Sequence, residues 1–478
     1  MKRLSDATLA EVPANVRRPA YDRSAVKVGV VHFGPGAFHR AHQAFYFDEM
    51  LASRPDFGVC AVSLRTPDVR DALAPQDGLY TLVEREAEPT YRVIGAIREV
   101  LVASEDPEAV FRRLISPEVR FVTATVTEKG YCLTTAGELD PDHPDIRRDL
   151  ENPERPVSLP GWIAEGLRRR RGEGLAPFIA ISCDNLSDNG VKLRRAVVQF
   201  AEARGDADLA RWIAAEAAFP SSMVDSITPA TDDALRGEVA GALALKDAWP
   251  IQRERFVQWV VEDRLGADAE AFAAAGVTVA REVAPFERAK LRLLNGAHST
   301  LAYVGLALGC ETVSEAMADP ALARFVERMM REDVAPTLHA PELDVPAYIG
   351  QVLDRFRNPT IVHRLSQIAW DGSQKLRFRL LETASEALAA GRPVDRLAVG
   401  VAAWIGFVLR QTAAGVPIVD PLAARLPEVA ASTGDPVDRF LALAEVFPPA
   451  LATDPRFRAA VARAYEALAS DSRAALAA

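Results

Sequence analysis

The chain has 478 residues, of which 49% are hydrophobic and 26% are charged, and its formal net charge is −10. A chain of this length exceeds what one hydrophobic core organises, so we expect two domains. The balanced composition excludes a disordered or fibrous protein, and the acidic net charge disfavours a nucleic-acid partner. We interpret the basic run 168–171 as the solvated end of a helix.

Secretion and membrane insertion are also disfavoured. Residues 1–18 lack the apolar core of a secretory signal, and the apolar stretch 397–409 is shorter than the roughly 18 to 20 residues of a membrane span. The four cysteines are far apart and predict neither a disulfide framework nor a zinc site. We therefore expect a cytoplasmic protein without a metal or a membrane partner, and a monomer is the working expectation.

The order of predicted elements indicates an α/β fold. Short β-branched runs alternate with helical patterns in the first half, which is typical of a Rossmann-type parallel sheet. The candidate strands are 26–33, 58–64, 91–94, 119–127 and 178–183. After about Pro285 alanine-rich helical patterns such as 394–409 dominate. We predict a dinucleotide-binding domain over residues 1–284 and a mostly α-helical substrate and catalytic domain over 285–478.

A glycine turn follows the first candidate strand. Gly34 and Gly36 stand between this strand and an amphipathic helix, where backbone amides can approach a pyrophosphate. The fingerprint is incomplete because His39 occupies the third glycine position, and an ordinary tight turn stays the alternative. Asp68 is the nearest candidate for the acid that binds the ribose. The residues assigned to the cofactor are Gly34, Gly36, Phe38, His39, Arg40 and Asp68.

The stretch KLRLLNGAHS, residues 290–299, sets polar side chains into an apolar helix. At about 100° per residue, Lys290, His298 and Asn295 lie at roughly 0°, 80° and 140°, with Glu287 at about 60°. Burial in this arc would lower the lysine pKa toward that of a general base, and the asparagine amide could donate to a developing oxyanion. The alternative is a structural helix whose lysine extends to solvent.

Further polar clusters occur at SCDNLSDNG, residues 182–190, at FPSSMVDSITP, residues 219–229, and at NPTIVHRLSQIAWDGSQK, residues 358–375. Together with GPGAFHRAHQ, TVTEKGYC and KLRLLNGAHS, in this order, they resemble the long-chain, metal-independent mannitol dehydrogenase family of polyol and sugar-acid dehydrogenases. The resemblance extends from about Arg18 to Leu476. It implies a Rossmann-type domain followed by a helical domain, with substrate bound between them.

The resemblance also implies roles for individual residues. Lys290 matches the general base, Asn295 and Asn185 the amides that hold the oxyanion, and His298 the histidine that positions the reacting hydroxyl. Glu287 matches an acid linked to proton passage. Asp225, Lys375, Gln367 and Arg364 are the candidate substrate-binding residues.

Two departures bear on the substrate. Some mannitol enzymes of the family carry arginine where this chain has Gln367, and proline where it has Arg377. We expect oxidation of a polyol, D-mannitol to D-fructose, with D-mannonate and D-fructuronate as the alternative and a non-catalytic nucleotide-binding protein as a less favoured one. For a sugar acid, Arg364, Lys375 or Arg377 could face the carboxylate. We favour NAD over NADP because of Asp68, although Arg65 nearby could tolerate a 2′-phosphate.

Overall fold

The computed structural model describes residues 1–471 and 473–477, which separate into two compact units, Met1–Ala284 and Pro285–Ala478. The first unit is a mixed α/β structure and the second is helical, as the sequence predicts. Within the described residues, no helix combines the length and apolar character needed to span a membrane.

Within the part of the chain that the structure describes, the strands all lie in the first unit. They are β1 (Val28–Phe33), β2 (Gly58–Ser63), β3 (Tyr80–Arg85), β4 (Thr90–Ile94), β5 (Ile97–Val102), β6 (Phe121–Ala124), β7 (Ile179–Ser182), β8 (Ser222–Asp225), β9 (Ile251–Glu254), β10 (Gln258–Glu262) and β11 (Thr278–Ala280). The main sheet has the order β5-β2-β1-β6-β7, with every neighbouring pair parallel. From β1 the chain adds β2 and β5 on one side of the sheet, and it then adds β6 and β7 on the other side, so the strand order reverses between β1 and β6. This is the position at which doubly wound folds form a ligand crevice.

Helices surround these strands. They are α1 (Ala37–Ala41), α2 (Gln43–Met50), α3 (Asp68–Leu73), α4 (Pro107–Leu114), α5 (Pro144–Glu151), α6 (Leu159–Gly172), α7 (Asn189–Ala203), α8 (Ala207–Glu216), α9 (Asp233–Leu243) and α10 (Ala269–Ala274). Side chains of β2 alternate between two cores: Cys60 and Val62 belong to one, and Val59 and Ala61 to the other. Because both faces of the parallel sheet are buried against a hydrophobic core, the sequences of these strands are continuously apolar.

Two smaller sheets complete the first unit, with the orders β11-β10-β8 and β4-β3-β9. The candidate strand 91–94 belongs to β4, which pairs antiparallel with β3. Its expected place in the parallel sheet is therefore wrong. That place is taken by β5, a strand whose Arg98 and Glu99 obscured its pattern.

The basic run 168–171 forms the last turn of α6, but it is not simply solvated. The Arg170 side chain is buried and donates to the carbonyl oxygens of Leu114, Ser116 and Ala176. Arg168 and Arg169 both bind the buried carboxylate of Glu165. These arginines therefore stabilise the packing at the end of α6. The prediction that the run is solvated was wrong, because charge alone does not reveal the carbonyl and carboxylate partners.

The second unit is built from helices around a helix that begins at Ala284. The regular helices are α11 (Ala284–Ala289), α12 (Gly296–Ala307), α13 (Val313–Ala318), α14 (Pro320–Arg328), α15 (Val345–Arg357), α16 (Leu365–Ile368), α17 (Gly372–Leu376), α18 (Glu382–Ala389), α19 (Asp395–Ala413), α20 (Arg425–Ala431), α21 (Pro436–Leu441), α22 (Pro449–Ala452) and α23 (Pro455–Ser470). Three π-helical segments interrupt them in the described chain: π1 (Lys290–Asn295), π2 (Met329–Val334) and π3 (Arg377–Leu381).

Candidate active site

A cavity of about 590 Å³ opens at the carboxyl end of the parallel sheet in the first unit. Its walls come from the turns that follow β1, β2 and β6, together with part of the 129–158 segment. The lining includes Gly34, Pro35, Gly36, Ser63, Leu64, Arg65, Thr66, Val69, Thr125, Val126, Thr127 and Lys129. The cavity therefore lies at the crevice that the strand order predicts.

The glycine turn fits a group that must approach the backbone closely. Gly34 has φ +85°, and a Cβ there would lie 2.2 Å from the Thr125 carbonyl oxygen, so only glycine is accommodated. Gly36 precedes α1, and a Cβ built on it would meet no atom nearer than 4.0 Å. Bare backbone at this helix start suits the pyrophosphate of a dinucleotide.

The other predicted cofactor residues differ in their surroundings. His39 is buried and stacks on His32 with 3.4 Å between ring centroids, while Phe38 is half-buried. The Arg40 side chain is buried and donates to the Trp249 carbonyl oxygen at 2.8 Å. None of these side chains lines the cavity, nor does Asp68, an exposed residue at the start of α3. Any contribution of Phe38 and His39 to cofactor binding would therefore come from their backbone amides.

Sequence reasoning missed Asp184, which organises one wall of the cavity. Its carboxylate accepts hydrogen bonds from the backbone amides of Val126 and Thr127 at 3.1 and 2.8 Å. The Tyr131 hydroxyl donates to the same carboxylate at 2.7 Å. Burial raises the pKa of Asp184, and these hydrogen bonds oppose the rise. The signal was the position of Asp184 directly after a strand, but the sequence gives no hint of its distant partners.

Asn185 and Asp225, the candidate substrate residues of this unit, lie on connected segments. Asn185 is exposed just after β7, and Asp225 is a buried residue at the end of β8. Asn189 joins the two segments: its side chain donates to the Asp184 and Ser222 carbonyl oxygens and accepts from the Ser222 amide. This link fixes the β7–α7 turn against β8.

In the second unit, Lys290 and Asn295 are the first and last residues of π1. The expected α-helical spacing is therefore wrong here. In a π-helix the backbone bond joins residues i and i+5, so Asn295 stands about one turn above Lys290 rather than on a diverging face. Both side chains are half-buried. Such π turns recur at functional sites, and this one brings the two predicted catalytic groups toward one face.

His298, the third residue of α12, is buried among rings. Its imidazole lies 4.5 Å from the Phe356 ring and 5.0 Å from the His363 ring, measured between centroids. Burial lowers the pKa of His298 well below its usual range, and nearby His363, Arg355 and Arg379 lower it further. The imidazole is therefore neutral at physiological pH and can both donate and accept a hydrogen bond.

Arg379 in π3 is a second residue that sequence reasoning missed. Its Nη1 atom donates to the Asn295 carbonyl oxygen at 3.3 Å and to the Ser299 hydroxyl at 3.1 Å. Close approach of the two helices depends on Gly296, where a Cβ would lie 2.8 Å from the Arg379 carbonyl oxygen. The sequence shows only that a basic residue follows Lys375. It does not indicate toward which helix the Arg379 side chain extends.

The remaining candidates lie on α16 and α17. Lys375 donates to the Trp370 carbonyl oxygen at 2.6 Å and lies 3.7 Å from the Asp371 carboxylate. Burial lowers the Lys375 pKa, and Arg379 lowers it further. Arg364 and Gln367 are exposed. Lys375 and Arg379 are thus close enough to interact electrostatically. Glu287, the last candidate, lies half-buried on α11.

One group of potential metal ligands occurs among the described residues. The side chains of Cys132, His143 and Asp145 offer ligand atoms within 4.8 Å of one another beside the cavity. Burial raises the Cys132 pKa to about 12, and His143 already accepts a hydrogen bond from the Asp145 amide.

Both halves of the chain match the models of known domain families. Residues 28–271 match the mannitol dehydrogenase Rossmann domain, and residues 282–469 match the mannitol dehydrogenase C-terminal domain. A mannitol 2-dehydrogenase of Pyricularia oryzae is 38% identical over 98% of this chain and 97% of its own. The D-mannonate oxidoreductase of Escherichia coli K12 is 39% identical over 96% of this chain and 97% of its own.

A solved structure shows the same likeness in three dimensions. It is the Pseudomonas fluorescens mannitol 2-dehydrogenase in a ternary complex with NAD and D-mannitol, and it superposes with a TM-score of 0.81. The two sequences are 36% identical, and the match covers 99% of each chain.

Proposed function

We propose that this chain, which belongs to the mannitol dehydrogenase family, is an NAD-dependent oxidoreductase that interconverts a secondary alcohol of a sugar alcohol or sugar acid with its ketone. In this proposal the first unit binds the dinucleotide and contributes Asn185 and Asp225, and the second carries Lys290, Asn295 and His298. The observation that carries the proposal is the π turn that starts at Lys290 and ends at Asn295.

The Lys290 amine acts as the general base. It takes the proton from the reacting hydroxyl and becomes an ammonium ion, while the Asn295 amide donates a hydrogen bond to the oxygen as negative charge develops. Bound NAD would supply the acceptor for the hydride that leaves the carbinol carbon, and the product would be a ketone. In the reverse direction the Lys290 ammonium returns the proton to the oxygen.

Neutral His298 orients the reacting hydroxyl by donating or accepting one hydrogen bond. Its lowered pKa keeps it from competing with Lys290 for the proton. Asn185 supplies a second amide for the oxygen, Asp225 contacts substrate hydroxyls, and Glu287 assists proton exchange at Lys290. These roles rest on the family resemblance of the motifs that carry the residues.

The cavity beside Gly34 and Gly36 is the proposed dinucleotide site, with NAD preferred over NADP. The ternary complex of the Pseudomonas enzyme contains NAD, which supports the choice. Arg65 lines the cavity and lies 3.4 Å from Asp145, so its charge is partly engaged. An arginine that is already paired with a carboxylate attracts the 2′-phosphate of NADP less strongly than an unpaired arginine does.

Two substrate pairs fit the family: D-mannitol with D-fructose, and D-mannonate with D-fructuronate. The mannitol 2-dehydrogenase relatives support the first. A specific observation supports the second, because Lys375 and Arg379 place positive charge near π1. Both pairs require the same chemistry at Lys290.

The test is a substrate panel with purified protein. D-mannitol, D-mannonate and a pentitol are each offered with NAD or NADP, and formation of the reduced cofactor is followed at several pH values. We expect NAD-dependent turnover of at least one of the two six-carbon substrates. Binding of NAD without turnover of any polyol or sugar acid would contradict the proposal and favour a non-catalytic nucleotide-binding protein.

A further inference from the structure

Arg379 is an arginine with neutral partners. Both of its hydrogen bonds use Nη1, one to the Asn295 carbonyl oxygen and one to the Ser299 hydroxyl. Among the residues that the structure describes, no carboxylate lies within 4.0 Å of its guanidinium. Guanidinium groups that lose water are normally matched by an anion, because the desolvated charge is otherwise costly.

The surroundings of Arg379 contain charges of both signs. Arg379 lowers the pKa of Lys375, whose ammonium group lies 3.7 Å from the Asp371 carboxylate. Burial lowers the Arg379 pKa to about 10, so the group is still charged at neutral pH. Asp371 opposes this lowering and Asp420 acts in the same sense on Lys375, but among the described residues neither carboxylate lies within 4.0 Å of the Arg379 guanidinium.

The geometry ties this charge to the catalytic helix. Arg379 contacts Asn295 and Ser299, which lie on the same helix as Lys290 and His298. Its Nε and Nη2 donors make no hydrogen bond within the described chain, and the side chain is partly accessible. A guanidinium edge of this kind matches the two oxygens of a carboxylate.

We infer that Arg379 is a specificity-determining residue that binds the carboxylate of an open-chain sugar acid, with Lys375 as a supporting charge. The inference rests on the proposed function, since it assigns one end of the substrate of that same site. It selects D-mannonate and D-fructuronate over the neutral pair. Arg364 and Gln367, both exposed, take no part in holding the carboxylate in this account.

The test separates binding from turnover. The dissociation constant of D-mannonate is measured by calorimetry on protein saturated with NADH, for the unchanged protein and for Arg379→Gln, Arg379→Lys and Lys290→Ala. We expect Arg379→Gln to weaken binding about 10- to 100-fold, Arg379→Lys to restore part of it, and Lys290→Ala to retain binding. The matched control is Arg392→Gln, which removes an exposed arginine of the same unit and should change nothing.

Steady-state kinetics supply the second measurement. Arg379→Gln should raise KM for D-fructuronate far more than it lowers kcat, and should raise KM for D-fructuronate by a larger factor than KM for D-fructose. Equal losses with both substrates, or unchanged D-mannonate binding in Arg379→Gln, would overturn the inference while leaving the proposed function intact. Binding of D-mannonate through Arg379 without turnover of any substrate would support the inference and defeat the proposed function.

Discussion

Asp184 shows how a single side chain can shape the proposed cofactor cavity without lining it. Its carboxylate holds the backbone amides of Val126 and Thr127, which form part of the cavity wall. The sequence predicted only that polar groups would follow β7. The partners could not be predicted, because they lie 57 and 58 positions away along the chain.

Replacing this carboxylate should damage cofactor binding and stability together. Asp184→Ala leaves two backbone donors and the Tyr131 hydroxyl without an acceptor, which should cost about 2 kcal/mol of unfolding free energy. We expect KM for NAD to rise about tenfold or more, measured under substrate saturation. Asp208→Ala, which removes an exposed ion pair with Arg211 in the same unit, is the control and should behave as the unchanged protein. An unaltered KM in Asp184→Ala would show that the 126–127 wall needs no such support.

At the level of elements, the π turn is the feature that sequence periodicity could not supply. The apolar pattern correctly predicted a helix through residues 290–299, but α-helical spacing spread Lys290 and Asn295 over about 140°. An extra residue in one turn changes which side chains share a face, and hydrophobic periodicity is too coarse to detect it. The sequence pattern also failed to predict β5. This strand lies at the edge of the sheet, where charged residues are tolerated, so its apolar alternation is weak.

The contact between π3 and the start of α12 gives a prediction about packing. In Gly296→Ala the new methyl group would lie 2.8 Å from the Arg379 carbonyl oxygen and would force the two helices apart. We expect a loss of about 1–3 kcal/mol of unfolding free energy, together with reduced activity. Chemical denaturation measures the first effect and steady-state kinetics the second.

The control for this substitution is Gly350→Ala in the interior of α15. A Cβ there meets no atom within 4 Å, so alanine should be neutral or should stabilise the helix by up to about 1 kcal/mol. If Gly296→Ala matched Gly350→Ala, the close approach of the helices would have no energetic significance.

For the whole molecule, composition and the change of pattern near residue 285 predicted an α/β part followed by a helical part. The added sheets and the strand order could not be predicted, because pairing depends on contacts distant in sequence. Charge was also a poor guide to exposure: Arg170 in the run 168–171 and several histidines are buried. Burial of ionisable groups then affects the stability of the entire protein.

The buried histidines predict that stability falls in mild acid. Burial lowers the His32 pKa to about 3 and holds those of His39 and His298 well below their usual range. Below pH 6.5 the unfolded chain binds protons that the folded chain does not, so stability decreases as pH falls from about 6.5. Each such histidine should cost about 2 kcal/mol at pH 5.

Urea unfolding at pH 7, 6 and 5 measures this dependence. His32→Gln should make the curve shallower, whereas His339→Gln, a change at an exposed histidine, should leave its slope unaltered. A constant unfolding free energy over this range would mean that these imidazoles do not remain neutral in the folded protein.

We propose that Lys290 removes the hydroxyl proton at the π turn, and one measurement tests this role directly. The pH dependence of kcat/KM is recorded for the unchanged protein and for Lys290→Ala with the better substrate of the panel, alongside the NADH dissociation constant. We expect Lys290→Ala to lose at least about 1,000-fold in kcat/KM and to lose the basic ionisation from the pH profile, while its NADH dissociation constant stays within about threefold. A variant that keeps both its activity and its pH profile would contradict the account.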